Sequence, residues 1–138
     1  MSTNKANVHV LLDAIAARDA TAIRELVTDN VTWWAPVSSA RLGLARPLVG
    51  VGAVVTLLSG AHSFFRADTT TWTVLALIEE GSTVVAHVQR RCLTTSGLTY
   101  ENDYLLRFDF VDGRIATAWE HTDTAYALEL LGANTVDG

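Results

Sequence analysis

Apolar residues recur along this chain with two different periods, and the change between them falls near residue 66. Val8, Leu11, Leu12 and Ile15 stand at i, i+3, i+4 and i+7, which puts one apolar stripe on a helix from about Asn7 to Arg18. Asp19 predicts an N-cap for a short second helix carrying Ile23, Leu26 and Val27. Thr28-Asp29-Asn30 reads as a turn cluster, and Val31 to Ala35 as a short strand stopped by Pro36. Positions 37–48 follow no period and include Pro47, which predicts a loop. Val51, Val54, Val55 and Leu58 restore helical spacing for a third helix that ends near Gly60 or Phe64.

Beyond Arg66 the period falls to two. Strands are predicted over Thr70 to Glu79, Thr83 to Leu93, Thr99 to Val111 and Arg114 to Thr122. Turns at Glu80-Gly81-Ser82 and Thr94-Thr95-Ser96-Gly97 join the first three, and Asp112-Gly113 is the strongest hairpin signal in the chain. Asp123 caps a final helix whose Ala127, Leu130 and Leu131 pack inward, closed by Gly132. Three helices followed by an antiparallel meander describe an α+β domain. The meander has to curl round the helices to bury one face of every strand, which leaves a conical hollow suited to a small molecule.

Alternation also sorts the strand residues by side. With Arg90 facing the hollow, so do Val84, Ala86, Val88 and Cys92, while His87, Gln89 and Arg91 face away. Leu106, Phe108 and Phe110 share a side with Asn102 and Tyr104, and Glu120 shares one with Ala118 and Thr122. The hollow is therefore expected to be apolar, walled by Ala86, Val88, Cys92, Leu106 and Phe108. Arg90 and Glu120 are its only expected charges.

Composition narrows the function classes. A length of 138 residues, 49% of them hydrophobic, suits a single domain over 1–138 with a filled core. Net charge is −5, and nine of the ten cationic residues are scattered arginines, so neither nucleic acid nor an acidic membrane surface is an expected partner. Lys5 is the only lysine and lies in the N-terminal tail, which argues against Schiff-base chemistry. One cysteine excludes an intrachain disulfide, and the four histidines show no ligand spacing, so no metal is expected. Gly50-Val51-Gly52 lacks the third glycine and preceding strand of a dinucleotide site, and no cofactor is expected. The start MSTNKANVHV has no signal-peptide layout and no apolar stretch is long enough to span a membrane, which predicts a cytoplasmic protein.

Two stretches carry a family pattern. Asp29-Asn30-Val31-Thr32-Trp33-Trp34-Ala35-Pro36, followed by Leu48-Val49-Gly50 opening a helix, resembles the opening of SnoaL-like proteins. Tyr100-Glu101-Asn102-Asp103-Tyr104 through Phe108, then Asp112-Gly113-Arg114-Ile115 and Trp119-Glu120-His121-Thr122-Asp123, resembles their ending. The resemblance runs from about Val8 to Leu131. It implies the cone-shaped NTF2-like fold, shared with ketosteroid isomerase and limonene epoxide hydrolase, and a twofold homodimer. It implies an isomerase, cyclase or hydratase/dehydratase acting on a polyketide-type molecule, with a limonene-type epoxide hydrolase variant or a non-catalytic small-molecule binding module as the alternatives. The base of ketosteroid isomerase corresponds to Ala35 here, and its oxyanion-hole aspartate to Leu106, so that route is lost. Of the limonene-type triad, Arg90 and Glu120 match the arginine and second acid, but Cys92 replaces the first aspartate.

Glu120 is the candidate general acid/base, since a carboxylate in an apolar hollow has its pKa raised toward neutrality. Arg90 either orients it or forms a structural ion pair with it. Tyr104 and Asn102 either hold a substrate oxygen or satisfy each other. His62 either reaches the mouth of the cone or caps the third helix. Trp33 and Trp34 must face opposite sides, one lining the hollow, and Cys92 is either a small buried hydrophobe or a nucleophile. The outward His87, Gln89, Arg91, Leu93 and Leu105 form the expected dimer face.

Overall fold

The computed structural model describes residues 1–60 and 63–132. Ser2 accepts a hydrogen bond from the Lys5 amide and starts helix α1 at Thr3, so α1 (Thr3–Ala17) begins four residues before the apolar stripe does. Periodicity cannot see that extra turn, because it is held by a cap and not by burial. Arg18 closes α1 in the left-handed conformation, and Asp19 caps α2 (Ala20–Leu26) by accepting from the Ala22 amide.

Strand β1 (Val27–Trp34) follows without a break. Thr28, Asp29 and Asn30, expected as a turn, are instead extended, and the pairing of β1 with its neighbour slips between Val27 and Thr32. Turn chemistry here produces a bulge within a strand, not the end of one. The segment expected as loop contains a 3-10 helix (Val37–Leu42) and the two-residue strand β2 (Leu48–Val49), and then α3 (Val51–Leu58).

The long strands are β3 (Thr71–Glu80), β4 (Thr83–Leu93), β5 (Thr99–Val111) and β6 (Arg114–Thr122), and α4 (Thr124–Leu131) ends the described chain. Asp112 and Gly113 both take positive φ, 50° and 79°, as a two-residue hairpin turn of primed type requires. Sheet order is β2-β1-β6-β5-β4-β3, with β1 parallel to β6 and every other pair antiparallel. The meander thus sits in a mixed, unclosed six-stranded sheet, the α+β cone expected of NTF2-like proteins.

The inner face of the sheet packs on α1. Val8, Leu11, Leu12 and Ile15 meet Val84, Ala86, Val88, Leu106, Phe108 and Ile115 in one buried cluster. Trp33 joins it edge-on to Phe108, with centroids 6.1 Å apart. Each large side chain so buried contributes roughly 1.5–3 kcal/mol. This filling is uneven: α1 and Trp33 plug the base of the cone, and the other end stays open beneath α3, α4 and the 3-10 helix.

Candidate functional site

That open end is a cavity of about 140 Å³ that opens to solvent. Ile15, Leu57, Leu58 and Phe64 form one side and Leu128 and Leu131 another, with Ala35, Ser39 and Leu42 between them. Arg90 and Glu120 are the only charged residues in the described wall, and Tyr100 and Tyr104 lie beside them. An apolar lining with a few convergent polar groups is that of a small-molecule site.

Glu120 comes from β6, where it pairs with Leu106. Its Oε1 accepts a hydrogen bond from the Trp33 indole Nε1 at 3.2 Å. Burial raises its pKa above the ordinary carboxylate value, and the Trp33 hydrogen bond and the charge of Arg90 only partly oppose that. The residue still exposes some surface, which is the part that faces the cavity.

Arg90 does not pair with Glu120: no ion pair within 4 Å joins them among the described residues, which corrects the structural ion pair offered as one of the two sequence readings. Ladder registers give the reason. Arg90 lies opposite Asn102, Val88 opposite Tyr104, and Ala86 opposite Leu106, which is Glu120's own partner. The two charges are thus two inward-facing rows apart. Arg90 turns instead toward β3 and its approach: Nη2 donates to Thr70 Oγ1 at 3.0 Å, and the guanidinium lies over Phe65 (4.3 Å) and Trp72 (5.1 Å).

A polar chain runs along β5, and its Tyr104 stands in the row between. The Asn102 side-chain amide donates to the Asp123 carbonyl and to the Tyr100 hydroxyl, and the Tyr100 and Tyr104 hydroxyls are 2.6 Å apart. Either hydroxyl of this pair can be the donor, and in one of the two arrangements Tyr100 donates to Tyr104. The Tyr104 O–H is then left for the cavity. Burial raises the pKa of both phenols, that of Tyr104 well above 10, so both are neutral donors near pH 7.

Other expected residues fall elsewhere. Cys92, Leu106 and Phe108, and with them Ala86 and Val88, do face inward but are packed into the core and do not line the cavity. Alternation assigns a face, whereas α1 decides how much of that face is filled. Burial raises the Cys92 thiol pKa against the influence of Arg90, which does not favour a thiolate nucleophile. Asn102 is buried behind the tyrosines and supports them. Trp33 is the inward tryptophan, and touches the site through Glu120; Trp34 is partly exposed beneath Arg46. His62 lies outside the described residues. Tyr100 escaped the sequence reading although it shares the parity of Asn102 and Tyr104. The walls from the 3-10 helix carried no periodic signal at all. No group of three or more His, Cys, Asp or Glu gathers among the described residues, and no described helix is long and apolar enough to cross a membrane.

The SnoaL-like domain family matches residues 8–118, a span that takes in most of α1, the whole of β1 and most of the curved sheet. This chain belongs to the SnoaL-like family. Solved structures agree on the fold. An NTF2-like protein of unknown function from Burkholderia pseudomallei K96243 superposes with a TM-score of 0.85 at 23% identity, covering 96% of this chain and 100% of the other. TerC, co-crystallised with polyporic acid, gives 0.83 at 20% identity over 96% and 100% of the two chains. A candidate SnoaL-like polyketide cyclase from Jannaschia sp. CCS1 gives 0.77 at 17% identity over 95% and 92%. No curated protein matches the sequence. In this SnoaL-like chain, Glu120 is the one carboxyl in the described wall of the cavity.

Proposed function

We propose that this SnoaL-like protein is a cofactor-independent enzyme that moves a proton on an apolar, carbonyl-bearing small molecule of polyketide type, as an isomerase, cyclase or hydratase/dehydratase. The observation that carries the reading is Glu120, a carboxyl of raised pKa in the wall of an otherwise apolar cavity. In this reading Glu120 takes a proton from the carbon beside the substrate carbonyl. The electrons move onto the carbonyl oxygen, which accepts the hydrogen bond of Tyr104, and Glu120 returns the proton to its final carbon or to the leaving oxygen. Trp33 holds the carboxyl in place. The protein is further proposed to be a cytoplasmic homodimer joined through the outer sheet face.

Exchange of α-protons for deuterium tests the reading without knowledge of the natural substrate. Benzoylacetone, an apolar diketone, is followed by NMR in heavy water. Wild type is expected to accelerate the exchange, and Glu120→Gln, which keeps shape but cannot titrate, to lower that rate by roughly 10²–10⁴ with little change in binding. Equal exchange rates for wild type and Glu120→Gln would remove the carboxyl from the chemistry. The reading would then shift to a binding module.

A further inference from the structure

We propose that the Arg90 end of the cavity is an anion subsite, which takes a carboxylate or comparable anionic oxygen carried by an apolar ligand. The inference rests on the reading that this cavity holds a ligand, but not on the role of Glu120 in chemistry.

Three observations lead to it. First, Arg90 lines the cavity and has no carboxylate within ion-pair distance among the described residues. Its one charged neighbour in the wall, Glu120, stands two rows away and is already engaged by Trp33. An arginine so enclosed is ordinarily matched by an acid, because desolvation of an unmatched charge is costly.

Second, the guanidinium is held rigidly without being neutralised. Thr70 takes one N–H, and the Phe65 and Trp72 rings bracket the plane. Those contacts fix its direction and leave donors over, which is the preorganised state of a fork that awaits a planar, two-oxygen partner.

Third, two buried donors here have no acceptor: Arg90 Nε and the indole Nε1 of Trp72. Trp72 is the cross-strand partner of Arg90, so both lie on the same rung of the β3–β4 ladder. Orphaned buried donors are rare in folded proteins and mark a place where an acceptor belongs. Of the two residues, Arg90 lines the cavity, and its positive charge sets the sense of that acceptor. Phe64 and Leu58 in the same wall supply the apolar surface on which the body of the ligand would lie.

The test compares naphthalene-2-carboxylate with its neutral isostere naphthalene-2-carboxamide, by calorimetry at pH 7.5 on the full chain. Wild type is expected to bind the carboxylate about 10- to 100-fold more tightly, the ratio a charge-assisted hydrogen bond supports. Arg90→Met should lose that preference while still binding the carboxamide. Trp72→Phe, which keeps the ring and removes the indole donor, should reduce the preference in part. Equal affinity of wild type for the two probes, or no measurable binding of the carboxylate at millimolar concentration, overturns the subsite. A preference that survives Arg90→Met overturns its assignment to Arg90. The wild-type comparison needs no variant to fold and no turnover, so its failure leaves the exchange experiment on Glu120 untouched, and the reverse holds as well.

Discussion

A carboxyl held behind Trp33 and an arginine held away from it give opposite expectations for their removal. The folded chain binds the Glu120 proton more tightly than the unfolded chain does, since burial raises its pKa above the ordinary 4.5. Stability from this group is therefore complete below pH 4.5 and is lost as the pH rises through the folded value. Glu120→Gln has no such loss. Thermal melts across pH should show the two proteins alike in acid and the variant relatively more stable at neutral pH; parallel curves would mean that the carboxyl titrates like an exposed one. Along the tyrosine chain, Tyr104→Phe removes the donor that faces the cavity and should lower kcat for proton exchange by roughly 10²–10³, as loss of an oxyanion donor does. Tyr100→Phe acts only through the position of Tyr104, so its effect on exchange should be the smaller of the two.

At the scale of elements, the site depends on how α4 is anchored. Asp123 caps it twice over: its side chain accepts from the Tyr126 amide, and its carbonyl accepts from the buried Asn102 that also supports Tyr100. One residue thus ties the cavity wall formed by Ala127, Leu128 and Leu131 to the polar chain on β5. Asp123→Ala keeps the carbonyl and removes the side-chain cap, with an expected cost of about 1 kcal/mol in urea unfolding. Asn102→Leu leaves the Tyr100 hydroxyl without its donor in a buried place, and the expected cost is greater, about 1–3 kcal/mol. If Asn102→Leu were the milder of the two, the chain would not be the strut that its hydrogen bonds describe.

For the whole molecule, the open sheet leaves its outer face uncovered. Ile78 and Leu105 are 64% and 50% exposed there, and His87, Gln89 and Asp103 form hydrogen bonds across the strands around Leu105. Apolar residues set among polar ones on a broad, flat face suit pairing with a second copy. Light scattering at micromolar concentration should give twice the chain mass of 14.9 kDa. Leu105→Glu should return the mass to that of one chain without unfolding it. A wild-type mass near 15 kDa would refute the dimer.

Much of this architecture was legible beforehand because it depends on local rules. Period-two alternation with Asp112-Gly113 and the Thr94–Gly97 turn predicts β4, β5 and β6 at their observed ends, and Asp19 and Asp123 cap the helices they were expected to cap. The inward parity of Arg90, Asn102, Tyr104 and Glu120 follows from the same period, because side chains on a strand have only two faces to choose from. Elsewhere, local rules misled or were silent. Thr28-Asp29-Asn30 carries turn chemistry, yet it lies extended as the bulge of β1 between Val27 and Thr32, which pair with β6, and the segment at 37–48 became a cavity wall without any periodic signal. Parity could not say that Arg90 and Glu120 stand two rows apart, since rows are set by the register between strands distant in sequence. Nor could it say that Cys92, Leu106 and Phe108 stand back from the cavity while Tyr100 and Tyr104 line it. That depends on where α1 and Trp33 end against the sheet. The faces of the strands belong to the sequence; the depth of the cavity and the distance between its charges belong to the packing, because only non-local contacts decide which inward side chains have something on top of them.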